Sequence, residues 1–576
     1  MQVTRANSEP TDPQSTAAQD VPVASQAAPA AKAEPRRLWL QPDPESVALL
    51  RRAPVIARHA RNAGITRRIE TTYYDTPDRL LFRGNLSLRV RTLGRRFIQT
   101  LSGRASQASA ASGTWSCSVA SALPDLADLG ALQADWLPPA VREALLRGPL
   151  ALVCTARIRR HTRRLAMPDA LAPDSLVPGS LVDVVFEDGG IEAQGRHQGI
   201  DRIGLVLHAG EASALYEVAL RLLDVAPLRI GADSTALLGY ALATQTHLRA
   251  AKATASSLTP ALAMDDAIAA ILAACQTHLQ ANQGVAQNAR TPDGVHQMRV
   301  ALRRVRSALS LLRRDLPSGT MASLAREAKW AAAQLGPARG WDVFLASTLN
   351  DTLTQRTRAP RGGPDFQALR QAAEAPRARA YRTVTALITA PRFSRFQLTL
   401  GQWAARRGWR NEVTPDGLAL LADPASLVAA GMLGRLHRKA LRQGAHFRRL
   451  SATERHQLRI TLKKLRYAIE FFLPLFEASG RAHRFVRRLS RLQEALGLDH
   501  DAAETRPLLV QLGGRGSAGG IHQAIGVVIG WQAREELVNL DTLAAQWQRF
   551  KTLQPFWPKV SKPLSAGSTP AAPRPG

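Results

Sequence analysis

The chain has 576 residues, 45% of them hydrophobic, and its 76 lysines and arginines against 46 acids leave a formal net charge of +30. That length and apolar content exclude a wholly disordered chain and allow roughly two to four domains. Three scattered cysteines, Cys117, Cys154 and Cys275, exclude a disulfide scaffold and predict a reducing compartment.

Residues 1–35 are rich in Ala, Pro, Gln and Ser without an apolar period, which predicts a disordered tail. The opening Met1-Gln2-Val3-Thr4-Arg5 lacks the apolar core of a signal peptide. Residues 36–249 predict an α+β domain that is mostly antiparallel sheet. Leu86-Ser87-Leu88-Arg89-Val90-Arg91 alternates apolar and polar, and Phe97-Ile98-Gln99-Thr100-Leu101 does so more loosely. Ile158 to Leu165 is a basic run of the same tendency, and Leu181-Val182-Asp183-Val184-Val185-Phe186 reads as a buried strand. Helical pieces such as Glu45 to Arg61 interrupt them. Residues 250–263 predict a linker, because the stretch from Ala250 to Pro260 is small and polar. Residues 264–556 are helical in pattern, with breaks at Pro292, Pro317, Gly336-Pro337, Gly362-Gly363-Pro364 and Asp423-Pro424 that predict about eight or more helices. Residues 557–576, proline-rich from about Lys562, predict a second disordered tail. No apolar run is long enough to span a bilayer, so the expectation is a soluble cytoplasmic protein without a membrane partner.

An internal repeat is the most specific feature. His296-Gln297-Met298-Arg299-Val300-Ala301-Leu302-Arg303-Arg304-Val305-Arg306 recurs as His456-Gln457-Leu458-Arg459-Ile460-Thr461-Leu462-Lys463-Lys464-Leu465-Arg466. Leu335-Gly336 ahead of Asp342 and Leu496-Gly497 ahead of Asp501 form a looser echo. At 100° per residue, His296, Arg299, Arg303 and Arg306 fall within a sector of about 80°. Met298, Leu302, Val305, Leu309 and Leu312 occupy the adjoining sector, so one face packs and a cationic row lies beside it. His456, Arg459, Lys463 and Arg466 make the equivalent row. A single such row is an ordinary solvated face. Two of them, with Glu470 as the clearest acid in line, point instead to an extended polyanion between two helical halves. A histidine charged at mildly acidic pH would strengthen each row.

These two helices, with Arg466-Tyr467, Leu335-Gly336-Pro337-Ala338-Arg339 and Leu492-Gln493-Glu494-Ala495-Leu496-Gly497, resemble the CHAD family, the conserved histidine α-helical domain. The resemblance implies two pseudosymmetric helical bundles around a basic cavity that binds inorganic polyphosphate, with polyphosphate granules as the place of action. Carried over residue by residue, it assigns His296, Arg299, Arg303, Arg304, Arg306, Arg339, His456, Arg459, Lys463, Lys464 and Arg466 as ligands. Gly340 departs from the family, which often has an aspartate there.

The sheet-rich part, through Tyr73-Tyr74-Asp75-Thr76-Pro77, Leu86 to Arg91 and Gln99-Thr100-Leu101, resembles the CYTH family of triphosphate tunnel metalloenzymes. That implies an antiparallel β-barrel with inward charges that hold a triphosphate and Mg²⁺ or Mn²⁺. Several convergent carboxylates are needed for such a metal. The chain departs from this pattern: Glu34 stands alone in the opening box, and Thr114 and Ser116 replace acids around Trp115. Glu217-Val218-Ala219-Leu220-Arg221 keeps one acid of the later strand, and Ser234-Thr235-Ala236-Leu237-Leu238-Gly239-Tyr240 has lost the closing basic residues. Asp183, Glu187 and Glu217 are the weak metal candidates, and Arg89, Arg91, Arg157 and Arg159 are the tunnel phosphate candidates. Elsewhere, His161, His197, His208 and His247 lie singly, and Gly514, Gly516 and Gly519 spell a glycine motif after a helix rather than a strand.

The expected function is capture of inorganic polyphosphate by the helical domain beside a catalytically silent sheet domain, with no catalytic residue and no cofactor. A metal-dependent triphosphatase that uses Mg²⁺ or Mn²⁺ is the alternative. Non-specific nucleic-acid binding is the third reading, weakened by an aromatic content of only 5%.

Overall fold

The computed structural model describes residues 36–103, 113–127, 136–168, 179–231, 234–246, 248–287, 291–349, 363–476, 480–514 and 519–559, apart from the side chains of 348, 452, 497–504 and 534–540. Glu34, His247, Gly516 and the side chain of Asp501 lie outside the described residues.

Alternating sequences build one antiparallel sheet from β1 (Arg37–Pro42), β2 (Ile65–Asp75), β3 (Leu86–Leu93), β4 (Arg96–Gly103), β5 (Gly113–Val119), β6 (Ala151–Met167), β7 (Ser180–Ala193), β8 (Arg196–Ala209) and β9 (Leu228–Ile230). Their order is β5-β4-β3-β2-β6-β7-β8-β1-β9. The expected closed barrel is therefore corrected to an open sheet, since among the described residues β5 and β9 end the order without pairing to each other. The three-residue β9 is a short edge, and the Gln283 side chain donates to the carbonyl of Ile230 at 3.0 Å, where a further strand would otherwise bind. Short helices α1 (Val47–Arg51), α2 (Pro54–His59), α3 (Leu80–Arg83) and α4 (Pro139–Arg147) flank the sheet, and α5 (Ser213–Leu223) and α6 (Thr235–Thr244) follow β8 and β9.

Period-two alternation gives the long strands two distinct faces. The outer face carries Leu38, Leu40, Val182, Val184, Phe186 and Leu205 into a core shared with α2 and α5. The inner face carries Arg89, Arg91, Arg160 and Glu187, and α6 packs Ala243 against Ile158 and Ile191 at one end of it.

The helical half comprises α7 (Met264–Ala281), α8 (Gln283–Ala286), α9 (Pro292–Leu312), α10 (Gly319–Gln334), α11 (Gly336–Val343), α12 (Phe366–Thr389), α13 (Pro391–Ala405), α14 (Pro415–Ala422), α15 (Ala425–Gln443), α16 (Ala452–Phe472), α17 (Gly480–Leu512) and α18 (Gly519–Lys551). Two cores match the two repeats, one centred on α7 to α13 and one on α15 to α18. The long helices straddle both: α17 gives Phe485 and Leu489 to the second core and Leu509 to the first, and α18 gives Trp547 to the second and Val528 to the first. Trp557, the first residue of the expected second tail, is buried against Phe485 with ring centroids 5.2 Å apart, so the core reaches beyond residue 556.

Helix α13 packs against the sheet domain. Leu398 of α13 is part of the sheet domain's outer core, and Gly401 lets Tyr216 of α5 come so close that a Cβ there would stand 2.1 Å from the ring. Arg395 pairs with Asp224 and Arg406 with Glu217, each at 2.8 Å. This overturns the strand reading of Glu217. It lies on α5, whose buried Leu215, Val218, Ala219 and Leu222 follow helical spacing, and it serves the domain interface rather than the inner face of the sheet.

Candidate functional site

The two repeat helices begin on strong local signals. Pro292 at the first turn, with Asp293, opens α9, and a Ser451–Glu454 capping box opens α16. Each buries the apolar sector predicted for it, Met298, Leu302, Val305 and Leu309 in one copy and Leu458, Leu462 and Leu465 in the other. The helices run antiparallel: Arg304 meets Glu470 at 3.2 Å, while Ser310, Leu311 and Arg314 share a cavity with Thr461 and Lys464. Antiparallel neighbours that carry the same row at the same angular offset turn both rows to one side of the pair. Arg306 and Arg466 stand near the middle and the two histidines at opposite ends, and the combined line covers roughly 33 Å at 1.5 Å per residue.

The first copy's charges form a cluster. Partial burial, then the charges of Arg339 and Arg303, and last that of Arg299, outweigh the opposing charge of Asp293 and pull the His296 pKa down to about 4. His296 is thus neutral at mildly acidic pH, which corrects the expectation of a histidinium there. Arg299 also donates to the Ala332 carbonyl of α10 at 3.1 Å, which holds it in the row. Desolvation and the Arg303 charge lower the Arg306 pKa, so like charges reach along the helix. In the second copy His456 and Lys464 are exposed, Lys463 is half-buried and Arg459 is buried.

Arg304 and Arg466 share one acidic partner. Arg304 is buried, pairs with Glu470 and lies over the Phe471 ring at 5.0 Å. Arg466 reaches the same Glu470 at 3.3 Å. That carboxylate therefore ties the two repeats together, and Arg304 points into the seam between the helices instead of along the row. Asp342 is buried too, and accepts from Arg377 and Tyr381 at 2.9 Å each. Both contacts brace α11, which carries Arg339.

On the sheet, Arg89 and Arg91 face the inner side as expected. Burial, then the charges of Arg89 and Arg160, lowers the Arg91 pKa to about 10. Arg157 and Arg159 do not join them. Arg157 lies outside with Glu70 and Glu192, and Arg159 is 61% exposed beside Asp188. The inner positions of β6 are the next parity, Arg160 and Arg164, and Arg202 of β8 completes them; all three escaped the sequence reading. Ile158, buried on the inner side, was the signal for that parity, because it fixes its neighbours Arg157 and Arg159 outward.

The weak metal candidates do not fit a metal. Glu187 is buried between Arg202, at 2.7 Å, and Arg160, and Asp183 is held by Arg164 at 2.8 Å and His208 at 2.6 Å. Glu217 is on α5. Among the described residues no three His, Cys, Asp or Glu side chains stand together as a metal site needs. Nor is any described helix long and apolar enough to cross a membrane.

Residues 270–510 match the family model of the CHAD domain, and this segment is a CHAD domain. The N-terminal sheet domain resembles the CYTH, triphosphate tunnel family in its antiparallel strands and its motifs. Three solved structures give the scale of likeness. The crystal structure of the CHAD domain from the plant Ricinus communis is 29% identical, covers 53% of this chain and 97% of its own, and has a TM-score of 0.43. PptA from Streptomyces chartreusis is 18% identical over 50% of this chain and 100% of its own, with a TM-score of 0.38. HpAC1 from Hippeastrum, described as an adenylyl cyclase with a dominant triphosphatase activity, is 13% identical over 37% of this chain and 96% of its own, with a TM-score of 0.24. At such TM-scores the domain assignment rests on the family match. No curated protein matches the chain.

Proposed function

We propose that this protein binds inorganic polyphosphate along the paired rows of α9 and α16, that the sheet domain acts as a docked, non-hydrolytic partner, and that the protein works in the cytoplasm on polyphosphate granules. The observation that supports this most is the antiparallel pairing of two equivalent cationic rows on one side of the helix pair. A linear polyanion neutralises repulsion that the fold otherwise carries, and guanidinium forks suit phosphate oxygens. His296, Arg299, Arg303, Arg306 and Arg339 serve the first copy, and His456, Arg459, Lys463 and Arg466 the second. The CHAD assignment supports a polyphosphate-related role, and the absence of aromatic residues from the rows disfavours stacking on bases.

The test is titration of the full chain with long-chain polyphosphate. Binding should weaken steeply with salt, by analogy with other polyanion contacts. Arg303→Glu with Lys463→Glu should abolish it, and undiminished affinity in that double variant refutes the reading. A parallel arm measures phosphate release from tripolyphosphate with Mg²⁺ or Mn²⁺; release that Asp183→Ala removes would establish the hydrolase instead. Equal competition by DNA at matched ionic strength would favour a general polyanion surface.

A further inference from the structure

We infer that two copies of this chain associate edge to edge through β5, in an antiparallel pairing that joins their sheets into one. β5 pairs with β4 along its whole length, Gly113 to Val119 against Gly103 to Phe97, without a bulge. Among the described residues no strand pairs with its other edge. Alternate backbone N–H and C=O groups of that edge are therefore open to a further strand.

The two ends of the sheet differ in how they are protected. Edge strands are ordinarily blunted by brevity, charge, proline or a bulge. β9 has only three residues, and Gln283 occupies the Ile230 carbonyl. β5 has seven residues, Gly113-Thr114-Trp115-Ser116-Cys117-Ser118-Val119, with no charge and no proline among them.

Charge selects the occupant. Two chains of net charge +30 repel each other, so self-association needs a face where cations are sparse. Residues 105–141 contain no Lys, Arg or His and three acids, Asp125, Asp128 and Asp135, although the chain as a whole averages about one Lys or Arg in eight residues. On the sheet, Arg89 and Arg91 lie two strands from this edge, about 10 Å away at roughly 4.8 Å per strand, and Arg96 stands at one end of β4. A charged partner segment finds no counter-charge on β5 itself, whereas a second β5 matches it.

The strand is also complementary to itself. A two-fold axis through Ser116 pairs all seven residues: Gly113 with Val119, Thr114 with Ser118, Trp115 with Cys117, and Ser116 with its own copy. Thr114, Ser116 and Ser118 are exposed on one face. Their pairing continues a pattern of hydroxyl contacts already present in the sheet, Thr100 with Ser116 and Ser87 with Ser102, each at 3.1 Å. On the other face Trp136 stands over Gly113, where an added Cβ would be 2.1 Å from the ring, so Val119 of the second copy meets an indole. An edge of this length is at the small end of the interface range, which makes the dimer reversible, with a dissociation constant of about 1–100 µM.

The test is analytical ultracentrifugation of the full chain, free of polyanion, from about 5 to about 200 µM. Mass should rise from one chain toward two, and further at about 0.5 M salt than at about 0.1 M, because salt screens the repulsion between the copies. S116K places like charges opposite each other at the axis and should weaken the dimer about tenfold or more. S118K repeats the measurement if S116K does not fold. In a C117S background, oxidised glutathione should link S116C into a disulfide dimer but not T114C, whose counterpart across the axis is Ser118. A chain that stays monomeric at every concentration and salt, a dimer that S116K and S118K leave undiminished, or equal crosslinking of S116C and T114C overturns the proposal.

Discussion

His296 offers a way to observe polyphosphate on the rows without altering their charge. Its pKa of about 4 in the free protein reflects burial among Arg339, Arg303 and Arg299. A bound polyanion offsets those cations, and full compensation returns the imidazole to its ordinary value near 6.5. Binding then takes up a proton, and affinity rises as pH falls. Between pH 7 and pH 5 the unscreened limit is roughly twentyfold, and partial exposure of the ring reduces this to several-fold. Without ligand the sign is opposite. A histidine whose folded pKa is depressed favours the folded state fully above about 6.5, and that contribution is lost as pH falls toward about 4. Acid therefore weakens the free protein while it tightens the complex. Titration calorimetry in two buffers of different ionisation enthalpy measures the proton uptake directly. The terminal groups of polyphosphate also titrate, so the informative quantity is the difference between the natural chain and His296→Gln. Equal uptake by the two proteins refutes the placement of polyphosphate against His296.

Three further outcomes follow from buried contacts. Glu187→Gln leaves Arg160 and Arg202 facing each other and should cost roughly 2–4 kcal/mol in urea unfolding. Burial alone would raise the Glu187 pKa, but Arg202 and Arg160 outweigh it and hold the carboxyl below its usual range. This contribution to stability is present above about pH 4.5 and is lost as pH falls through the depressed value, so the variant should show a flatter acid limb. Arg304→Met should cost roughly 1–3 kcal/mol, because Glu470 keeps Arg466, and should leave long-chain polyphosphate affinity nearly unchanged. Gly401→Val should lower the unfolding midpoint through overpacking against Tyr216, worth about 1–3 kcal/mol, with no effect on polyphosphate affinity measured below that midpoint.

The repeat was legible because each row obeys helical spacing within eleven consecutive residues, where local pattern and final position coincide. Strand parity was less secure. In Ala156-Arg157-Ile158-Arg159-Arg160 either set of arginines can be read inward, and the choice depends on what the apolar residues face. They face an inner side that α6 makes apolar at one end, which follows from how the chain folds back and not from β6 alone. Glu217 failed for another reason. Leu215, Val218, Ala219 and Leu222 already spelled a helix, and the strand template overrode that period. Arg304 could not be placed from one helix at all. At 100° per residue it lies beside the row, and only the arrival of Glu470 from the other repeat decides whether that position belongs to the seam or to solvent.

That seam has a consequence for how the two repeats diverge. Each repeat keeps its own row of cations, and both rows look to the same side, but the contact flank need be closed only well enough to hold the helices together. Arg304 and Glu470 close it in the first repeat, and α17 and α18 bridge both cores and supply much of the remaining cohesion. The corresponding flank of the second repeat is thereby released from packing and accepts Lys464 with the arginines of α15. Introducing the pair there tests this division. Lys464→Arg with Ser310→Glu recreates Arg304–Glu470 at the equivalent positions, and it should stabilise the helix contact by roughly 1 kcal/mol in urea unfolding. An unfolding midpoint that does not rise would show that the two flanks are not equivalent.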